Sequence, residues 1–192
     1  EYNRTTKIRR IIDMKATGIV RRIDDLGRVV IPKEIRRTMR IREGDPLEIY
    51  TDSNGEVIFK KYSPIGELSP YTKQYVDVLS RTTGHPAVIC DRDHIIAASG
   101  IPKKDVLEKR ISPLLESYME KRSSFVFESG KEQFELCEGN EREISVMFPI
   151  IGAGDVMGAV ALLSAEKGKA PTQTVVKLAQ VAAAFLGKQM EK

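Results

Sequence analysis

No stretch of this 192-residue chain approaches the roughly 18 consecutive apolar residues that a membrane span needs, so a transmembrane class is excluded. Residues 1–13 are polar and lack the apolar core of a secretory signal, which makes the cytoplasm the expected compartment. Cysteine is scarce: Cys90 and Cys137 lie in different apolar segments, at no metal-ligand spacing, and read as buried free thiols. Histidine is equally scarce. Neither His85 nor His94 has a second ligand three or four residues away, which argues against a zinc site and against histidine-based catalysis. Asp91 and Asp93 have no further ligand spaced to help them hold a metal and read as turn formers. Gly152-Ala153-Gly154-Asp155 lacks the Gly-Lys-Ser/Thr ending of a phosphate-binding loop and reads as a hairpin turn. With no nucleophile–base pair, metal cluster or cofactor fingerprint, neither an enzyme nor a cofactor or metal is expected.

What is present is an ordinary soluble composition, 41% hydrophobic and 30% charged, with a lopsided distribution of charge. Residues 1–64 carry 15 Lys+Arg against 10 Asp+Glu, whereas residues 65–192 carry 16 against 17. The positive field therefore sits in the N-terminal third, as expected where one module meets a polyanion and the other does not. Residues 1–13 are expected to be a leader or added extension, disordered or loosely attached, with Met14 as the natural start. Two domains are expected after it, over 14–64 and 65–192, in an α+β chain.

The first domain centres on KATGIVRRIDDLGRVVIPKEIRRTMRIREGDPLEIYTDSNGEVIFKK, residues 15–61. Lys15–Ile23 alternates as a strand, Asp24-Asp25-Leu26-Gly27 is turn chemistry, and Val29-Val30-Ile31 predicts a short buried strand stopped by Pro32. Lys33–Arg40 predicts a helix with Ile35 and Met39 inward and Arg36, Arg37 and Arg40 outward. Leu47–Tyr50 and Val57–Phe59 predict two strands joined across Ser53-Asn54-Gly55. Four short strands and one helix supply too few apolar residues to close a core, so a dimer is expected on size alone.

Residues 62–72, with two prolines and a glycine, read as a connection. Pro70–Thr83 predicts a helix, with Tyr71, Tyr75, Val78 and Leu79 as its apolar stripe and Gly84 ending it. Strands follow at Ala87–Cys90, His94–Ala98, Phe125–Phe127, Phe134–Cys137, Ile144–Ile151 and Val156–Leu163. A helix is expected over Ile111–Lys121, with Leu114, Leu115, Tyr118 and Met119 inward. A long one over Pro171–Met190 carries the stripe Val175, Leu178, Ala179, Ala182, Phe185 and Leu186, and its Ala182-Ala183-Ala184 run would allow close helix approach.

GIVRR, DDLGRVVIPKEIRR and EGDPLEIY, contiguous over more than 30 residues, resemble the swapped-hairpin DNA-binding domain of the AbrB family. In that family two chains interleave hairpins into one dimeric β-barrel, and arginines of both contact DNA. The resemblance implies double-stranded DNA as partner and Arg21, Arg28, Arg36 and Arg37 as contacts, with Lys15 and Arg22 as second-rank candidates. Arginine suits the role because its planar donors fit phosphate oxygens and the guanine edge. The arginines could instead form a solvated face pairing with Asp24, Asp25 or Glu34.

VICDRDHIIAASG and FPIIGAGDVMGAVALLS give the second domain a resemblance to GAF-type sensory domains, an antiparallel sheet flanked by helices. That implies a role in assembly or in sensing a small molecule not identified by sequence. The long second domain brings the resemblance closer to sporulation regulators of the AbrB family. It implies a nucleoid-associated tetramer acting in the forespore, activating some late, forespore-specific sporulation genes and repressing others. An antitoxin-type autoregulator is the competing reading, which a folded rather than flexible C-terminal region would disfavour.

Overall fold

The computed structural model describes residues 16–191 and divides into two compact units between Lys61 and Tyr62. The expected leader and Lys15 lie outside the described residues.

In the first unit, helix α1 spans Lys33–Met39, and strands β1 (Leu47–Thr51) and β2 (Val57–Lys61) form an antiparallel hairpin in which Ile49 faces Phe59. The hairpin closes through Asp52, whose Oδ1 accepts from the Asn54 and Glu56 amides at 3.0 and 2.8 Å. Residues 16–23 and 29–31 are not strands, contrary to expectation. Val29 and Val30 are exposed rather than buried, and so is Met39 of the expected inner helix face. A strand requires a hydrogen-bonded neighbour, and no backbone bond reaches the amides of Val29, Val30 or Ile31 among the described residues. Between residues 16 and 61 only Pro32 is buried.

The second unit follows the opposite rule. Pro64 and Pro70 begin helices rather than a linker: α2 spans Pro64–Glu67 and α3 spans Ser69–Thr83, each with proline in its first turn, where no amide partner is lost. Ser63 caps α2, its Oγ accepting from the Gly66 amide at 3.3 Å, and Ile65 is wholly buried. Gly84 ends α3 with a left-handed φ of 69°. Strands β3 (Ala87–Cys90) and β4 (Ile95–Ser99) then pair around an Asp91 turn, whose carboxylate accepts from the amides of Asp93 and His94. Helix α4 (Pro113–Glu120) is capped by Ser112, and β5 (Phe125–Val126) forms a short edge. Long strands β6 (Ile144–Gly152) and β7 (Asp155–Leu163) turn over on Ala153 and Gly154, both left-handed, and α5 (Gln173–Gln189) closes the chain from a Thr172 cap. Phe134–Cys137 is not a strand. The chain reverses at Gly139, where the Asn140 amide bonds Cys137 O, and isolated bridges from Ile111 and Glu143 replace a ladder.

The five strands run in the order β4-β3-β7-β6-β5, every pair antiparallel. Because side chains alternate along a strand, the sheet feeds two cores. Val88, Cys90, Met147, Ala159, Ala161 and Leu163 join α4 and the long loops, while Ala87, Ile89, Val146, Val160 and Leu162 join α3 and α5. Of the expected α3 stripe, Leu79 is buried and Tyr75 packs half-buried against the core, whereas Tyr71 and Val78 point to solvent; Thr72, Val76 and Ser80 are the other buried positions. Leu114 of α4 is likewise exposed, as is Phe185 of α5. Ala182 and Ala183 are spent on the sheet, so only Ala184 of the alanine run faces out. Among the described residues no helix is long and apolar enough to cross a membrane.

Two contacts of this packing can be tested. A Cβ on Gly187 of α5 would overlap the Ile151 carbonyl oxygen, and one on Gly158 would overlap that of Cys90. Either Gly→Ala change is expected to cost about 1–3 kcal/mol, as overpacking does, read as a lower urea midpoint for the second unit. Burial also pushes the Cys90 thiol from its ordinary 9.0 up to about 12, and raises that of Cys137. The folded state therefore favours the protonated thiol, so this contribution is intact below pH 9 and is lost as pH rises toward about 12. Native protein should resist thiol reagents at neutral pH. Cys90→Ala should flatten the alkaline fall in stability relative to the parent chain.

Candidate nucleic-acid interface

The basic side chains of the first unit occupy three local structures. Arg21 and Arg22 lie in residues 16–23, which form neither helix nor strand, and both are exposed, so burial does not separate them by face. Arg28 closes a tight turn opened by Asp24. The Asp24 amide donates to Arg28 O at 3.0 Å and the Gly27 amide to Asp24 O at 3.0 Å, with Gly27 at a left-handed φ of 75°. The Asp24 carboxylate completes the turn. Its Oδ1 accepts from the amides of Leu26 at 3.0 Å and Arg28 at 2.7 Å, and its Oδ2 holds the Arg28 guanidinium Nε at 2.9 Å. The backbone bond from Arg28 leads the causes that hold the Asp24 carboxyl below its usual range, with the guanidinium and the Leu26 amide adding to it.

Arg36 and Arg37 sit in the last turn of α1, both exposed. Cations are favoured there because the final carbonyls carry partial negative charge. The helix stops at Arg40, which adopts a left-handed φ of 49°, and the Ile41 amide returns to Arg36 O at 2.7 Å. A lysine from the hairpin secures this end: Lys61 Nζ donates to Arg40 O at 3.0 Å and stands 3.9 Å from Asp45 Oδ2. Asp45 Oδ2 in turn accepts from the Arg42 amide at 2.8 Å. The register of α1 against the hairpin is thus set by polar contacts at its C-terminal end.

Of the residues singled out by sequence, Arg21, Arg22, Arg28, Arg36 and Arg37 all lie exposed in this unit, on three separate segments. Sequence reasoning placed Asp24 in a turn and among the carboxylates an arginine could pair with, and both are seen. It missed the roles of Asp45 and Lys61, which organise the end of α1. Lys61 gave no local signal, because its partner is 21 residues away. Chemically the five arginines present planar donors and no acceptors, the complement of phosphate and of the guanine edge.

Comparison with known proteins places the chain in a family. Residues 67–191 match the family model described as stage V sporulation protein T C-terminal, transcription factor, and residues 20–66 match that of antidote-toxin recognition MazE, bacterial antitoxin. The chain is 54% identical over 181 residues to stage V sporulation protein T of Bacillus subtilis (strain 168), covering 93% of this chain and 100% of that protein. It is 63% identical over 51 residues to the transition state regulatory protein AbrB of the same organism, covering 27% of this chain and 52% of AbrB. A solved N-terminal DNA recognition domain of that AbrB shares the 63% identity over 27% of this chain and 94% of its own, at a TM-score of 0.24. For the second unit, a type II free methionine-R-sulfoxide reductase from Thermoplasma acidophilum aligns over 66% of this chain and 94% of its own at a TM-score of 0.51, with 12% identity, a likeness of fold alone. The expected two-domain α+β organisation with an AbrB-like first part therefore stands, and the second unit has the antiparallel sheet flanked by helices that was expected of it. The chain belongs to the stage V sporulation protein T family and is a DNA-binding transcriptional regulator.

Proposed function

We propose that two copies of the chain pair through the unit over residues 14–64, interleaving their hairpins, and grip double-stranded DNA with Arg21, Arg28, Arg36 and Arg37 of each. Lys15 and Arg22 serve as outlying basic contacts. The observation that carries this reading is that the unit bearing the arginines is apolar on its outside: Val20, Ile23, Leu26, Val30, Met39, Ile49 and Val57 are all more than half exposed. Each such side chain removed from water is worth about 1.5–3 kcal/mol, a strong drive toward a second copy. Residues 16–23 and 29–31, which form neither helix nor strand in this structure, would gain backbone partners in the same step.

Residues 65–192 would then join two such dimers into a tetramer. An outward stripe supports this: Tyr71 and Val78 of α3 and Val181 and Phe185 of α5 are exposed, and Tyr75 stacks on Phe185 with ring centroids 5.5 Å apart. Assembly is favoured over sensing because both sheet faces are filled with side chains, including the stacked Tyr118–Phe134 pair beneath α4. Given its relative's name, the regulator acts on sporulation genes; that these are expressed late in the forespore, and are activated at some promoters and repressed at others, extends the AbrB-family resemblance of the sequence. It works in the cytoplasm on the nucleoid, and its role is regulation, not catalysis. The match of residues 20–66 to an antitoxin model favours a second reading, an antitoxin-type autoregulator. A folded second unit in place of a flexible tail weighs against it.

Arg36→Ala combined with Arg37→Ala should lower affinity for a selected duplex by roughly tenfold to a thousandfold, since a good arginine contact is worth about 1–3 kcal/mol. Light scattering should report an unchanged oligomer. Loss of the oligomer instead would assign these arginines to the fold. Wild-type affinity should fall linearly with salt on logarithmic axes, and a flat response would contradict phosphate contact.

A further inference from the structure

Among the described residues, Arg28 is the candidate arginine whose guanidinium is held by a carboxylate. We propose that Asp24 is a positioning residue for sequence discrimination: its carboxylate clamps Arg28 Nε and thereby presents the remaining guanidinium edge to the DNA. The inference rests on the reading of Arg28 as a DNA contact.

Three features of the turn carry it. First, one carboxylate binds both ends of the device. Oδ1 takes the Arg28 backbone amide at 2.7 Å and Oδ2 takes its side-chain Nε at 2.9 Å, so backbone and guanidinium are fixed by the same group. Second, the contact uses Nε alone among the five guanidinium donors, leaving the paired Nη edge that makes bidentate bonds to guanine or phosphate. Third, the pair is exposed, with Arg28 and Asp24 side chains 68% and 36% accessible. An exposed ion pair adds little to stability, so its ordering is better explained by presentation than by folding. A carboxylate beside a DNA contact also repels phosphate. It would therefore depress general affinity while fixing the direction of one specific contact, which is how discrimination between sequences is raised.

Asp24→Asn isolates the clamp. Asn keeps an Oδ1 acceptor for the Leu26 and Arg28 amides, so the turn persists. It replaces Oδ2 with an amide that meets Arg28 Nε donor to donor. Binding of the full chain should be measured on a duplex selected by the wild-type protein from random sequence, and on poly(dI-dC) as non-specific DNA. The set is wild type, Asp24→Asn, Arg28→Ala and the double variant, with thermal melting and oligomer size as structural controls. Asp24→Asn should leave melting and oligomer unchanged and leave non-specific binding equal or tighter. It should weaken the selected duplex roughly threefold to thirtyfold, the range for coupled neighbours. Arg28→Ala should weaken the selected duplex, and adding Asp24→Asn to it should cost nothing more.

An equal loss from Asp24→Asn in both backgrounds would show that Asp24 acts through the turn, and would overturn the proposal. Tighter binding to both DNAs would reduce its carboxylate to a repulsive charge and also overturn it. If Arg28→Ala alone leaves the selected duplex unaffected, the contact assigned to Arg28 fails and the inference falls with it. The first two failures leave that assignment standing.

Discussion

Everything in the first unit depends on the scarcity of buried apolar surface inside it. Between residues 16 and 61 one apolar residue, Pro32, is buried. Folded domains balance chain entropy of about 1–2 kcal/mol per ordered backbone residue mainly by removing apolar surface from water. A unit that keeps its valines and isoleucines in solvent cannot meet that cost alone. Its internal order is polar and local: the Asp24 turn, the Asp52 hairpin loop, and the Lys61 bond to the end of α1. Such contacts set geometry. A second copy of the chain would supply the burial, and the arginines would then be displayed twice, related by symmetry, as a two-fold duplex site requires.

The second unit meets the same constraint differently. Its sheet alternates apolar residues to both faces and covers both, one with α3 and α5, the other with α4 and the long loops. Glycine permits the closest approaches: Gly187 brings α5 onto the Ile151 carbonyl, and Gly158 brings β7 onto that of Cys90. With its interior occupied, what this unit still offers is an outer helical stripe centred on Tyr75 and Phe185. A self-sufficient domain with an apolar exterior stripe is suited to joining DNA-gripping ends.

Sequence reading succeeded where local chemistry decides structure and failed where partners do. The hairpin around Ser53-Asn54-Gly55, the Ala153-Gly154 turn and the helix end at Gly84 were legible because turn residues act within a few positions. Val29–Ile31 has the composition of a strand but no ladder partner among the described residues, and Val29 and Val30 are exposed where periodicity promised burial. The α3 stripe was half misread for a related reason. Leu79 and Tyr75 face the core as expected, but Tyr71 and Val78, at the same helical spacing, face solvent while Thr72 and Val76 turn inward, since a helix with two apolar faces carries no mark of which one meets the sheet. In the candidate site the arginines were visible as charge. Lys61 was not, because its bond to Arg40 joins residues far apart in sequence.

The central claim, that residues 16–61 are completed by a second copy, is tested most directly by hydrogen exchange on the full chain as a function of concentration. Among the described residues no backbone bond reaches the amides of Val29, Val30 or Ile31. The account predicts that their amides are protected at concentrations where the chain self-associates and lose protection on dilution, while Ala87–Cys90 stays protected throughout. Exchange of residues 29–31 at the rate of an unstructured peptide at every concentration would contradict it.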